Sequence, residues 1–230
     1  MTVGARSVTE MQMIVLILAK APVAGRVKTR LCPPATPGQA ADLAAAALLD
    51  TLETARALPG GRTVIALAGD LSKARRRPEL ASALRDVPVV PQRGGHLGER
   101  IAAAHHDTAA LLPGLPTLQI GMDTPQITHY LLDICRSRLY TPGVDAALGP
   151  ADDGGWWALG LRDPASASAI TGVETSRADT GARTAQALRD RGLRLASLPA
   201  LSDVDTIEDA IRVAAAAPRT RFAAEVGRLL

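Results

Sequence analysis

The sequence is poor in aromatic residues and nearly free of cysteine. Only 2% of its 230 residues are phenylalanine, tryptophan or tyrosine, and its two cysteines are Cys32 and Cys135. Two thiols so far apart have neither the number nor the spacing of a disulfide framework or a zinc site. We therefore expect both to be buried or idle thiols.

Long apolar runs are also missing. The run from Met13 to Ala19 is far shorter than the roughly 20 residues that cross a bilayer, and no signal-peptide cleavage site follows it. We therefore expect a cytoplasmic protein without membrane contact. Residues 1–12 have the character of a flexible leader, and residues 13–230 are predicted to form a single domain, because their length suits one core.

The chain lacks a strong charge of either sign. Its formal net charge is +3, and its isoelectric point is about 9.2. This mild excess, mostly arginine spread along the chain, favours a small anionic ligand over nucleic acid. Hydrophobic residues make up 47% of the chain and charged residues 21%, which are values of a globular protein and not of a disordered one.

Strand-like and helix-like segments alternate along the chain. The segment "MIVLILA" (13–19) is continuously apolar, as in a strand that is buried on both faces of a parallel sheet. The alanine-rich segment that follows begins with Thr36 as a cap and Pro37 in the first turn of a helix. Such alternation predicts an α/β fold with a mostly parallel sheet and helices on both faces. An antiparallel pair across "DDGG" (152–155) would make the sheet mixed.

The loop after the first strand, "LAKAPVAGRVKTRL" (18–31), contains no acid. Ligands of open α/β sheets collect at the carboxyl ends of strands, and an anion there would also meet a permissive backbone at Gly25 and the amino end of the next helix. We expect phosphate, although the loop is not a Walker loop, because Val27 precedes Lys28-Thr29, and it has no G-x-G-x-x-G. A solvated basic turn is the alternative. The cations are Lys20, Arg26, Lys28 and Arg30.

Three aspartates are candidates for a metal site. Asp123 follows an apolar strand and should face the same crevice as the cationic loop. Asp203 and Asp205 lie two positions apart, so in an extended segment both carboxylates point to one side. A carboxylate beside a diphosphate usually needs Mg²⁺ or Mn²⁺ as a bridge. The alternative is helix capping, by Asp123 before one helix and by Asp205 or Thr206 before another.

The segment "GPADDGGWWALG" (149–160) is a third candidate. It places Asp152 and Asp153 before two glycines and the only two tryptophans of the protein. A flat aromatic ring beside a carboxylate suits a sugar or another polyol, with the carboxylate as general base or hydroxyl acceptor. An ordinary Asp-Gly hairpin with tryptophans in the core is the alternative.

The order and spacing of five motifs resemble a bacterial family of GT-A-fold glycosyltransferases of the arsenosugar-biosynthesis type, over nearly the whole chain. The motifs are "LAKAPVAGRVKTRL", "QRGGHLGERI", "IGMDTPQIT", "LGPADDGGWWALGL" and "LSDVDTIEDA". The chain is also distantly similar to molybdenum-cofactor and phospholactate guanylyltransferases, whose Asp-x-Pro segment resembles Asp123-Thr124-Pro125. The resemblance implies a three-layer GT-A fold of the nucleotide-diphospho-sugar transferase type.

The resemblance also implies roles for individual residues. The loop would hold the nucleotide diphosphate, Gln92 would lie near the base or ribose, and Asp123 would take the metal. Independently of the resemblance, the spacing of Asp203 and Asp205 leads us to expect that they complete the metal shell. From the residues themselves we also expect Asp153 to be the catalytic residue and to bind the acceptor together with Trp156. The nucleotide-binding residues are Ala19, Lys20, Pro22, Gly25, Lys28, Arg30 and Gln92.

Two residues depart from the pattern of that family. His96 stands where the family tends to have an acid before Leu-Gly-Glu-Arg, and Trp156 stands where it often has tyrosine, so a hydroxyl contact is lost while a stacking face is kept. The other histidines, His105, His106 and His129, lie on predicted helices without ligand spacing and receive no role.

We therefore expect a metal-dependent glycosyltransferase that uses a nucleotide-diphosphate sugar donor and a small acceptor, with Mg²⁺ or Mn²⁺ as cofactor. A nucleotidyltransferase of the guanylyl or cytidylyl type acting on a phosphorylated substrate is one alternative. A non-catalytic nucleotide-binding protein is another, because the metal motif holds one aspartate, Asp123, and not an Asp-x-Asp pair. Neither nucleic acid nor membrane is an expected partner, and a homodimer is left open.

Overall fold

The computed structural model describes residues 11–230, and within them seven strands form one mixed sheet in the order β3-β2-β1-β4-β6-β5-β7. The predicted leader over residues 1–12 falls almost wholly on residues 1–10, outside the described residues. The strands are β1 (Met13–Lys20), β2 (Gly61–Ala68), β3 (Val89–Pro91), β4 (Thr117–Gly121), β5 (Ala146–Pro150), β6 (Trp156–Leu161) and β7 (Leu195–Ser197).

Seven α-helices accompany the sheet in the described part of the chain, and none of them is long and apolar enough to span a membrane. The helices are α1 (Pro37–Arg56), α2 (Arg77–Ala83), α3 (Leu97–Leu111), α4 (His129–Leu139), α5 (Thr180–Asp190), α6 (Ile207–Ala216) and α7 (Arg221–Leu229).

Strand β1 lies at the centre of the parallel part of the sheet, as its continuous apolar sequence predicts. It pairs in parallel with β2 on one side and with β4 on the other. Residues 13–17 are completely buried, since Met13, Val15 and Ile17 pack in the core on the α1 face while Ile14 and Leu16 pack against Ala104 of α3 on the opposite face.

Helix α1 begins where the sequence predicts. The Thr36 side chain accepts a hydrogen bond from the Gln39 amide, the Gln39 side chain accepts one from the Thr36 amide, and Pro37 occupies the first turn. This capping box satisfies amide groups that a helix leaves without intrahelical partners. The cap, with the cationic loop before it, connects β1 to α1 at the carboxyl end of the strand.

The predicted hairpin is confirmed, because β5 and β6 pair antiparallel across "DDGG". Its turn packs tightly on the start of α5. Gly154 has a φ of 85°, and a Cβ atom there would lie 1.9 Å from the Ala178 carbonyl oxygen. The Gly154 carbonyl accepts a hydrogen bond of 2.8 Å from the Gly181 amide. Only glycine fits such a position, since it needs both a positive φ and close backbone contact.

Helix α7 docks on α1 through the buried carboxylate of Asp50. This carboxylate accepts hydrogen bonds from the amides of Arg221 (3.1 Å) and Phe222 (2.8 Å), which are orphan donors of the first turn of α7, and from the Arg221 guanidinium (3.0 Å). Phe222 is 1% exposed and packs in an apolar cluster that α1 and α7 share. Glu53 contacts the same guanidinium at 2.5 Å, but its side chain is 68% exposed.

We predict that Asp50→Ala lowers the free energy of unfolding by about 2 to 4 kcal/mol, because it leaves buried donors unsatisfied. Glu53→Ala is the matched control and should cost less than about 1 kcal/mol, since its ion pair is exposed. Urea denaturation of the parent protein and the two variants measures both effects. Equal losses for the two variants would contradict the capping role of Asp50.

We further predict that Gly154→Ala destabilises the protein by about 2 kcal/mol or more, because alanine resists positive φ and its methyl group would collide with the Ala178 carbonyl. Gly172→Ala is the control, since its Cβ would meet nothing within 4 Å and its φ is not positive. Thermal denaturation compares the two. A Gly154→Ala protein as stable as the control would show that the turn does not need its contact with α5.

Candidate functional site

A cavity of about 730 Å³ opens at the carboxyl ends of β1 and β4. The two strands are parallel neighbours, so the segments that leave them meet at one edge of the sheet, where open α/β sheets bind their ligands. Most residues that the sequence assigns to nucleotide line this cavity, namely Ala19, Lys20, Lys28, Arg30 and Gln92. Pro22 and Gly25 do not line it. Pro22 is buried, with its carbonyl bound to the Arg75 amide, and Gly25 lies on an exposed turn.

The four cations of the loop fall into two pairs. Lys20 and Arg26 are exposed, line the cavity and have no carboxylate within ion-pairing distance among residues 11–230. Lys28 and Arg30 line the same cavity but are paired with aspartates. Among the cations of this loop, Lys20 and Arg26 are therefore the ones whose charge is available to an anionic ligand.

The Lys28 ammonium group lies within the predicted metal-binding aspartates. It donates a hydrogen bond of 2.6 Å to Asp123 Oδ2 and another to the Val204 carbonyl, and it lies 3.6 Å from Asp205 Oδ1. Burial alone would lower the pKa of Lys28, but the carboxylates of Asp123, Asp205 and Asp203 raise it above its ordinary value. Lys28 is therefore a charged ammonium at neutral pH.

The three aspartates converge from distant parts of the sequence, as predicted. Asp205 Oδ2 accepts a hydrogen bond of 2.7 Å from Arg30. Burial, and then the neighbouring charges of Asp123, Asp205 and Asp153, raise the pKa of Asp203 to about 6. All three aspartates line the same cavity.

The three aspartates have the ligand chemistry that a divalent ion needs, but not the arrangement. All the donors are carboxylate oxygens, which is the chemistry that Mg²⁺ and Mn²⁺ prefer. However, within residues 11–230 no three acidic, histidine or cysteine side chains are spaced to ligate one ion, and the Lys28 ammonium lies between Asp123 and Asp205. The carboxylates as arranged do not fit a divalent ion, and the metal stays a prediction.

The alternative roles as helix caps, proposed for Asp123 and for Asp205 or Thr206, have different outcomes. Helix α4 begins at His129 and is capped by Thr128, so Asp123 does not cap it and that alternative is wrong. Helix α6 is capped by Thr206 in a capping box with Asp209, so the alternative is confirmed for Thr206. The carboxylate of the preceding residue, Asp205, faces Lys28 and Arg30.

Three polar side chains shape the floor of the cavity. The Gln92 side-chain amide donates hydrogen bonds to the carbonyls of Ala19 (2.8 Å) and Ala66 (2.9 Å), so its acceptor oxygen is left for a ligand. Gln119 and Thr124 are 3% and 1% exposed, and their side-chain oxygens have no partner in the described part of the chain. Sequence reasoning missed both, although a glutamine inside the apolar strand "TLQIG" was a visible signal.

The hairpin contributes Asp153 and Trp156 to the same cavity. Asp153 Oδ1 accepts a hydrogen bond of 2.8 Å from the Gly155 amide, so the residue also shapes its turn. Trp156 is half-buried, with its indole donating to the Thr184 hydroxyl at 3.1 Å. Asp152 instead accepts a hydrogen bond from the Ser202 hydroxyl. Of the two aspartates, Asp153 is the one that lines the cavity.

The histidines lie apart from this chemistry. His96 caps α3, because its side chain accepts a hydrogen bond of 3.4 Å from the Glu99 amide. His105 is fully buried beside Thr117, and burial lowers its pKa to about 3. A neutral imidazole in the core has a structural role.

Solved structures with the same fold include several nucleotide enzymes. A protein from Desulfovibrio desulfuricans G20, provisionally named a nucleotide-diphospho-sugar transferase, is 27% identical, with 94% of each chain covered and a TM-score of 0.80. A 4-diphosphocytidyl-2C-methyl-D-erythritol synthase is 13% identical over 90% of this chain and 98% of its own, with a TM-score of 0.58. A CMP:2-keto-3-deoxy-manno-octonic acid synthetase complexed with CTP is 11% identical over 90% and 99%, with a TM-score of 0.57.

These likenesses confirm the predicted α/β fold of the nucleotide-diphospho-sugar transferase type. No curated protein is detectably similar in sequence. A family model matches residues 51–177, which is more than half of the chain and includes β2 to β6. The chain therefore belongs to the bacterial family described as "Uncharacterized protein conserved in bacteria (DUF2064)".

Proposed function

We propose that this protein is a glycosyltransferase that takes its sugar from a nucleotide-diphosphate donor and passes it to a small hydroxylated acceptor. The observation that carries the proposal is a pair of loop cations, Lys20 and Arg26, which have no carboxylate partner within residues 11–230 and line one cavity together with Asp153 and Trp156. The similarity to the Desulfovibrio protein, at 27% identity, supports the class of donor.

In the proposed reaction, Asp153 and Trp156 act on the acceptor. Lys20 and Arg26 act on the diphosphate of the donor. The acceptor hydroxyl attacks the anomeric carbon, the bond from that carbon to the diphosphate oxygen breaks, and the hydroxyl proton passes to Asp153. The nucleoside diphosphate leaves with its electron pair, and Lys20 and Arg26 stabilise the charge that develops on it. Trp156 offers its ring to the sugar or polyol acceptor. No step depends on a divalent ion, and the predicted Mg²⁺ or Mn²⁺ stays a prediction.

A thermal-shift panel tests the class of ligand. It compares nucleoside diphosphates, UDP-sugars, GDP-sugars and nucleoside triphosphates, each with and without Mn²⁺. A ligand at 100 times its dissociation constant stabilises by about 2.7 kcal/mol, so donors should raise the melting temperature by several degrees. A response to triphosphates alone, with release of pyrophosphate, would make the protein a nucleotidyltransferase. A panel without any shift would favour the non-catalytic alternative. The arsenosugar-type activity and the homodimer stay predictions.

We predict that Lys20→Ala and Arg26→Ala each weaken binding of the responding nucleoside diphosphate by about 10- to 100-fold, because each removes a charge-assisted contact to phosphate. Lys73→Ala is the control, since it removes the same charge at an exposed position that does not line the cavity. Isothermal titration calorimetry on the folded variants measures the affinities. Affinities equal to that of the control would exclude these two cations from the diphosphate site.

We predict that Asp153→Asn retains nucleotide affinity but loses roughly 10² to 10⁴ in transfer rate, as expected when a general base is removed. The amide keeps an oxygen that can accept the Gly155 hydrogen bond, so the turn should persist. Asp152→Asn is the matched control in the same turn and should transfer at nearly the parental rate. A loss of affinity in Asp153→Asn would move this residue to the donor end, and full transfer would reduce it to a turn residue.

A further inference from the structure

The Lys28 ammonium group has the surroundings of a bound cation. Its contacts come from three segments that are distant in sequence: Asp123 after β4, and the Val204 carbonyl and Asp205 carboxylate before α6. An ammonium has three donors, and Lys28 has two close oxygen partners and a third at 3.6 Å. The Lys28 side chain is only 13% exposed, so few of its donors are left for water or a ligand.

The backbone around Lys28 is built to keep the side chain in this position. Lys28 has a left-handed conformation (φ 47°, ψ 37°), which is uncommon for a residue other than glycine. It precedes a short 3₁₀ turn, Thr29–Leu31, in which the Leu31 amide donates to the Lys28 carbonyl at 3.0 Å. Leu31 is completely buried in the cluster that also contains Val204. Such strain persists when the surrounding structure over-determines it.

A divalent ion and this ammonium group cannot share the same carboxylates. A metal bound to Asp123 Oδ2 would lie about 2.1 Å from that oxygen, while Lys28 Nζ already lies 2.6 Å from it. Two cations on one oxygen at these distances would repel each other strongly. Lys28 and Arg30 also supply two positive charges beside the three carboxylates of Asp123, Asp203 and Asp205.

We propose that Lys28 is a resident cation that takes the place of a divalent ion in this acidic cluster, so that Lys28 and a divalent ion exclude each other. The proposal concerns the unliganded protein and does not rest on the identity of donor or acceptor. It also explains why three carboxylates converge at a point where they are not spaced as metal ligands. Lys28 offsets one of their negative charges and joins the segments that carry Asp123 and Asp205.

Binding of Mn²⁺ to the unliganded protein tests the proposal. Titration followed by electron paramagnetic resonance should show weak binding to the parent protein and at least a 10-fold tighter site in Lys28→Met, which keeps the length of the side chain and removes its charge. Lys73→Met controls for the loss of one positive charge at an exposed position, and it should bind Mn²⁺ as the parent does. The double variant Lys28→Met/Asp123→Asn should lose the new site.

Two results would overturn the proposal. One is tight Mn²⁺ binding to the parent protein, equal to that of Lys28→Met. The other is a Lys28→Met protein that folds but gains no more affinity than Lys73→Met. If Lys28→Met does not fold alone, because its carboxylates are left unbalanced, thermal denaturation replaces the titration. Added Mn²⁺ should then restore a cooperative transition that EDTA removes, and a failure of Mn²⁺ to restore it would equally overturn the proposal.

Discussion

The burial of β1 on both faces is the constraint from which the site follows. A strand with five completely buried residues at its start must lie inside the sheet, with a neighbour on each side and helices above and below. Its parallel neighbours β2 and β4 bring their carboxyl ends to the same edge. The polar residues that follow β1 and β4 are therefore brought together by the packing of residues that have no chemical role.

Charge is distributed unevenly at that edge. Lys28 and Arg30 are paired with aspartates within the protein, and the attraction is stronger for Lys28, whose side chain is 13% exposed, than for Arg30, whose side chain is 71% exposed. Lys20 and Arg26, on the same loop, lack such partners among the described residues. One loop thus serves two purposes, since part of it joins distant segments of the fold and part of it leaves positive charge for an anion.

The sequence predicts those features that depend on neighbouring residues. The apolar run of β1, the cap of α1 by Thr36 and the hairpin at "DDGG" are local patterns, and each was found where it was expected. The meeting of Asp123 with Asp203 and Asp205 in one cavity was also expected, although only Asp123 closely follows a strand and the other two lie in the irregular segment before α6. The pairing of Lys28 did not follow, since its partners lie 95 and 176 residues away, and no local pattern records a contact at that range. The alternative in which Asp123 caps the next helix is wrong, because α4 begins at His129 and is capped by Thr128.

The unpaired acceptor oxygens on the cavity floor indicate which groups of a ligand would face them. The Gln92 side chain donates both of its amide hydrogens to the carbonyls of Ala19 and Ala66. The side chain can therefore only accept hydrogen bonds from a ligand. The Gln119 side-chain oxygen is also an acceptor without a partner in the described residues, and a buried polar atom without a partner is costly. A ligand that fills the cavity is therefore favoured when it presents anionic groups to Lys20 and Arg26 and a hydrogen-bond donor to the Gln92 oxygen. A nucleotide sugar carries both, which ties the electrostatics of the loop to the polarity of the floor beneath it.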